Sequence, residues 1–319
     1  MKKIIIAATA ALGVALAAHA QQWPAKPVRI IAVFPPGGSV DQVARIFAAQ
    51  LTTQTGQQFI VENKGGASGS IGTQAVASAA PDGYTFGVVF DTHAVNPSLI
   101  PNIPFDTVKD LASVMLVGTS PMAIVAHASQ PYRDFRDVLA AARQKGGVSY
   151  GSIGTGSLGH LAMAQIANLQ KVEFTHVPYR GGGPLMTDAI GGQVPLAIGT
   201  VFLVNPHVKG GKVRALAVTS AQPSPQMPGV ATVAEQGVPG FAALAWWGVI
   251  APAGTPQPIV SRLHEELSKA LKDPAVAQKL TDQGMEIVGG GPAELDRFLP
   301  AEIARWASVV RENKVKAGD

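Results

Sequence analysis

The chain has 319 residues, no cysteine, a formal charge of +4, only 14% charged residues, 35 glycines and 24 prolines. Without cysteine there is no disulfide framework, no thiolate metal site and no lipid anchor on an N-terminal Cys, and a mild, scattered positive charge argues against a nucleic-acid surface. Sparse charge with abundant Gly and Pro argues against a coiled coil or a disordered chain and suits an α/β protein with many tight loop-to-helix junctions.

The chain opens with Met1-Lys2-Lys3, an apolar stretch from Ile4 to Ala18, and Ala18-His19-Ala20 as a small-x-small cleavage site. This predicts a signal peptide (1–20), export to the periplasm, cleavage after Ala20, and a mature chain of 299 residues with charge +2. No later segment approaches about 18 uninterrupted apolar residues, so a soluble exported protein is expected.

Val28 to Phe34 reads as a strand and is followed by Pro35-Pro36-Gly37-Gly38-Ser39. Ser39 with Gln42 forms a capping-box pair, and Val40, Val43, Ala44, Phe47, Ala48 and Leu51 recur at helical spacing, so a helix starts at Ser39 or Val40. Free N–H groups of its first turn, the glycines before it and the helix dipole make this junction a candidate anion site. No Lys follows the glycines, which excludes a nucleotide-binding P-loop.

Next come a strand from Phe59 to Glu62, the junction Gly65-Gly66-Ala67-Ser68-Gly69-Ser70, a helix near Ile71 to Ala79, and a strand from Thr85 to Phe90. Asp91, beside Thr92 and His93, ends that strand; it either faces a crevice or caps the following turn. Met122 to Ala126 resumes the alternation, followed by a helix from Phe135 to Arg143 and a strand from Val148 to Ser152. The glycines Gly154 and Gly156 then precede Ser157 as the expected N-cap of a helix from Leu158 to Leu169, with Leu158, Ala162, Ile166 and Leu169 as its buried stripe and His160 in its first turn. Val172 to Val177, the junction Gly181-Gly182-Gly183-Pro184 with Pro at a first helical position, a helix to Ile190, and a strand from Val194 to Ile198 complete this part.

Trp246 to Pro252 reads as a strand with its tryptophans in the core, and Pro256 to Lys272, Ala275 to Gln283 and Pro292 to Val310 as helices. Late helices must pack on something already formed. The expected fold is α/β and two-lobed, with lobe one from 21–121 and 248–319 and lobe two from 122–247. Two hinge crossings, near Gly118 to Met122 and Trp246 to Val249, leave an interlobe ligand cleft.

Catalytic patterns are thin. There is no G-x-S-x-G elbow, His264-Glu265-Glu266-Leu267-Ser268 is not a zinc-binding motif, and His264 reads as a solvated helix residue. His93, His160 and His176 lack metal-ligand spacing, so neither a metal nor a cofactor is expected. Gly154 to Gly159 matches G-x-G-x-x-G, with Glu173 near the ribose-acid position, but lies mid-chain in an exported protein; NAD-dependent oxidoreduction is a minor alternative.

The blocks FPPGGSVDQVAR, VENKGGASGSIGTQAVASAAPDGYTF, THAVNPSL, YGSIGTGSLGHLA, HVPYRGGGPLMTDAIGGQV, VRALAVTS, PGVATVAEQGVPGF and GVIAPAGTPQPIVSRL together resemble the Bug-type periplasmic receptors of tripartite tricarboxylate transporters across essentially the whole mature chain. The resemblance implies a type II periplasmic-binding-protein-like fold, a monomer without enzymatic activity, capture of a small organic carboxylate, and delivery to transmembrane permease subunits or, alternatively, to a periplasmic sensor kinase. It implies ligand contacts from Pro36, Gly37, Gly38, Ser39 and Asp41 in lobe one and from Gly154, Gly156, Ser157 and His160 in lobe two, and Phe34, at the strand end before the first of these loops, is a further candidate. Two departures from the family pattern add Asp91 with Thr92, where many relatives carry a small residue before Thr-His-Ala, and Gly199-Thr200, where many carry Asp-Asn. They imply an altered far end of the pocket, for a ligand that is larger or carries a hydrogen-bond donor.

Overall fold

The computed structural model describes residues 23–316, so the expected signal segment lies outside the described residues. β1 (Val28–Ala32), β2 (Phe59–Asn63) and β3 (Thr85–Phe90) run parallel with β1 in the middle, and α1 (Ser39–Thr55), α2 (Ser70–Ala77) and α3 (Thr92–Leu99) follow them in turn. Every residue of β3 is buried, as expected of a strand covered on both faces.

β4 (Leu111–His127) comes next and serves both lobes. Then follow α4 (Phe135–Ala142), β5 (Val148–Ser152), α5 (Leu158–Gln170), β6 (Phe174–Pro178), α6 (Gly182–Ile190), β7 (Leu196–Thr200), α7 (Val201–Lys209) and β8 (Val213–Val218). β9 (Leu244–Pro252), α8 (Gln257–Lys272), α9 (Pro274–Thr281), β10 (Glu286–Gly290) and α10 (Pro292–Glu312) end the described chain.

The strand order is β2-β1-β3-β9-β4-β7-β5-β6, with β10 and β8 also on β4. From Leu111 to Pro121, β4 pairs antiparallel with β9; from Met122 onward it pairs with β7 and β8. One strand thus leaves the first sheet and enters the second between adjacent residues. β9 returns the chain between β3 and β4, and α10 packs back on α3 and β4, as a helix without a sheet of its own must.

Several sequence expectations need correction. The capping box at Ser39 does not form: Gly38, extended at φ −83° and ψ 170°, is the N-cap, and no side chain caps the helix. Asp41 takes over by reaching back to the Gly37 N–H at 3.0 Å, which fixes the loop one residue earlier. Pro184 sits in the third position of α6, which starts at Gly182. In α5, Leu169 is 57% exposed and Leu161 takes the buried position, because the stripe follows 158, 161, 162 and 166. His264 is half-buried beside Gly291, not solvated.

α3, the first half of β4, α7, β8 and β10 have no counterpart in the sequence reading. Pro97 and Pro206 lie inside α3 and α7, where proline ordinarily argues against a helix.

Candidate ligand cleft

The loop after β1 owes its shape to Asp41. One carboxylate oxygen accepts from Gly37 N, the other from Arg45 Nε and Asn63 Nδ2, both at 2.9 Å, and Asn63 Nδ2 also reaches the Phe34 carbonyl at 3.0 Å. Burial raises the Asp41 pKa, but these hydrogen bonds outweigh it and hold the group below its ordinary value. Gly37 has φ +83°, a left-handed conformation that favours glycine. Asp41 therefore positions the loop.

This loop faces the glycine loop of α6. A Cβ on Gly38 would lie 3.4 Å from the Gly182 nitrogen, and one on Gly183 only 2.6 Å from the Pro36 carbonyl oxygen. Neither α1 nor α6 has a side-chain cap, so the first-turn N–H groups of two helices from opposite lobes converge without an internal acceptor. Between them a void of about 10 Å³ is lined by Phe34, Gly38, Ser39, Phe90, Gly182 and Thr200, among others. The outer groove, about 810 Å³, is bordered by Pro36, Gly154, Thr155 and Arg180, and the Ser68 hydroxyl donates across it to the Thr155 carbonyl at 2.5 Å.

The α5 junction is capped from within. Ser157 Oγ accepts from His160 N at 3.3 Å, and Gly156 N donates to His160 Nδ1 at 3.1 Å. Ser157 Oγ lies 3.2 Å from Ser152 Oγ, which meets His176 Nε2 at 2.8 Å, and the two imidazoles stack at 3.8 Å. Gly156, at φ +74°, packs against Leu99 of α3. Thr200 caps α7 by accepting from Leu203 N at 3.1 Å, while a Cβ on Gly199 would meet Leu203 and Val204.

Of the residues picked out in the sequence, Phe34, Gly38, Ser39 and Thr200 line the void, and Phe34, Pro36 and Gly154 border the outer groove. Gly156, Ser157 and His160 form the capping network of α5. Asp91 and Thr92 are buried at the start of α3, and Asp91 makes no side-chain cap there. Burial pushes the Asp91 pKa well above the carboxylate range, with the nearby Glu302 carboxylate adding to the effect. His93 is buried with its pKa lowered to about 4 by desolvation, and borders a separate small void with Thr107, Leu111 and Leu299.

The sequence reading did not pick Val40, Phe90, Met122, Ile153, Gly182 or Leu203 as lining residues. Gly182 was discoverable, since it belongs to a junction of the same strand-glycine-helix type as Gly38. Trp247 is core, as expected, and supports the floor by packing on Phe90 and Phe202 at 5.2 and 5.4 Å between ring centres. Among the described residues no group of three or more His, Asp or Glu side chains could hold a metal, and no helix is long and apolar enough to cross a membrane.

Two α/β lobes, a strand shared between them and helix N-termini meeting in the cleft define the fold of periplasmic binding proteins. The chain belongs to the tripartite tricarboxylate transporter family receptors, whose profile matches residues 43–315. It is 36% identical over 310 residues to protein BugT of Bordetella pertussis, covering 96% of this chain and 95% of that one. The structure of the periplasmic binding protein BugD superposes with a TM-score of 0.88 at 31% identity, over 92% of this chain and 99% of that one. Rpa4515 of R. palustris, solved with adipate, gives 0.88 at 34% identity with the same coverage.

Proposed function

We propose that this protein is an exported receptor that captures a small organic carboxylate between its lobes and delivers it to the permease subunits of a tripartite tricarboxylate-type transporter. The observation that carries the reading is the meeting of the uncapped N-termini of α1 and α6, with Gly38 and Gly182 in close approach. Two helix dipoles and several main-chain N–H groups attract one carboxylate without a buried Lys or Arg. Adipate bound to a relative of the same fold supports this ligand class.

In this reading Phe34, Gly38, Ser39, Gly182 and Thr200 surround the ligand, Pro36 and Gly154 stand at the entrance, and the remaining sequence-picked residues hold these in place. The chain acts as a monomer in the periplasm, binds without chemical conversion and begins at residue 21 once processed. Its first lobe takes in 21–121 and 248–319 and its second 122–247. The switch of β4 partners between Pro121 and Met122 supports the first boundary, while β9 already pairs with β4 from Leu244, slightly ahead of the second.

Thermal unfolding of the mature chain against mono-, di- and tricarboxylates, aromatic acids, amino acids and NAD tests the proposal. A ligand at 100 times its Kd stabilises by about 2.7 kcal/mol, a shift of a few degrees for a chain of this size. A shift with one class of organic acid is expected; a flat response to every acid would refute it.

A further inference from the structure

A second void lies away from the ligand cleft, where α10 packs on α3 and β4. It measures about 20 Å³ and is bordered by His93 of α3, by Thr107 in the turn before β4, and by Asp296, Leu299 and Pro300 of α10, among others. Two of its wall residues each keep a polar atom buried and without a hydrogen-bond partner among the described residues: His93 Nε2 and Thr107 Oγ1. Both side chains belong to residues more than nine-tenths buried, at 3% and 6% exposure.

The helix beside them supplies a third unmet group. Pro300 has no N–H, so the Asp296 carbonyl, four residues earlier in α10, loses the donor it would have in a regular helix. Asp296 and Pro300 both border the void, so this gap in the helix lies at its wall. Pro97 has the same effect on the His93 carbonyl in α3. Polar groups left unpaired in a protein interior are costly, and ordered water is their usual partner where the space admits one.

We infer that this void is a binding site for one ordered water molecule, which joins Thr107 Oγ1, His93 Nε2 and the Asp296 carbonyl and so ties α3 to α10 and to the turn before β4. A space of about 20 Å³ admits one water and little more, and a buried water takes about two to four polar partners. A hydroxyl, an imidazole nitrogen and a carbonyl offer donors and acceptors together, as water requires. Among the described residues no group of three or more His, Asp or Glu side chains could hold a metal ion instead. The bridge bears on the cleft because the helix it anchors carries Leu99, which packs against Gly156 of the opposite lobe.

A high-resolution crystal structure of the mature chain should show one water within hydrogen-bonding distance of both Thr107 Oγ1 and His93 Nε2. In solution, magnetic relaxation dispersion of water should count one more long-lived water in the unaltered chain than in the double variant His93→Leu with Thr107→Val, whose apolar void stays dry.

Stability tests the same point by sign. Thr107→Val keeps the volume and removes only the hydroxyl. Loss of a hydroxyl that water partners lowers the melting temperature by a few degrees, whereas loss of one without a partner raises it. Thr107→Ser retains the hydroxyl and should keep the long-lived water, which leaves a readout even where the valine variant does not fold. An equal or higher melting temperature for Thr107→Val, or no water between Thr107 and His93 in the crystal, overturns the inference.

Discussion

The Ser68 hydroxyl donates to the Thr155 carbonyl at 2.5 Å, tying the turn before α2 to the glycine loop before α5. Ser68 is itself held, because its carbonyl accepts from Asn96 Nδ2 at 3.0 Å. The bond forms only when the lobes are together, so it contributes to closure and not to the folding of either lobe. Ser68→Ala should weaken ligand binding by about 0.5–1.5 kcal/mol, a few-fold to about tenfold, with an unchanged ligand-free melting temperature. Titration calorimetry beside a ligand-free melt separates the two effects, and a large drop in the ligand-free melt would place Ser68 in the fold instead.

Close approach of the α1 and α6 loops depends on Gly183 having no side chain. An added Cβ would sit 2.6 Å from the Pro36 carbonyl, on the opposite side of the cleft, where backbone must move to make room. Within α6 itself alanine is the better helix former, by about 1 kcal/mol. Gly183→Ala should therefore leave the ligand-free stability equal or slightly raised while cutting affinity by more than about tenfold. Small-angle scattering with saturating ligand should show a more open molecule than the unaltered chain; equal compaction and equal affinity would contradict the steric argument.

Much of this architecture was legible because the first-lobe strands and their helices carry uninterrupted periodicity. Val40, Val43, Ala44, Phe47 and Leu51 set α1 without ambiguity, and all of them are buried. The Ser157 cap was legible too, since Ser157 directly precedes the apolar run that opens with Leu158, although the same reasoning failed at Ser39. What escaped were elements whose local chemistry argues against them: helices with an internal proline, and the stretch from Leu111 to Pro121, where Gly118 and Pro121 look like a linker. That stretch is a strand because β9 and β10 supply partners from more than a hundred residues away. The role of Asp41 was hidden for the same reason, as its partner Asn63 comes from a different strand.

Asp41 gives the loop an acid limit. Its pKa is depressed in the folded chain, so its contribution is complete above the ordinary carboxylate pKa and is lost as pH falls through the folded value. Asp41→Asn should lower stability at neutral pH by about 1–3 kcal/mol, since the Gly37 and Arg45 donors lose a charged acceptor. The gap to the unaltered chain should narrow in acid, below about pH 4. Urea unfolding at pH 7 and in acid measures this, and a gap that stays constant would mean that the carboxylate charge is irrelevant.

Two buried groups two residues apart should pull stability in opposite directions with pH. His93 has a folded pKa of about 4 against an ordinary 6.5, so below 6.5 the unfolded chain binds the proton first and stability falls as acid is added. Complete titration across that interval amounts to on the order of 3 kcal/mol. Asp91 is raised instead, so the folded chain holds its proton longer and stability falls as pH rises above the ordinary carboxylate pKa. Between about pH 4 and 6.5 the two slopes oppose each other. Relative to the unaltered chain, His93→Gln should become less stable with rising pH in that window, and Asp91→Asn should become more stable. Urea unfolding at pH 5 and 6.5 reads both slopes; parallel curves for the three proteins would show that neither group titrates differently in the folded state.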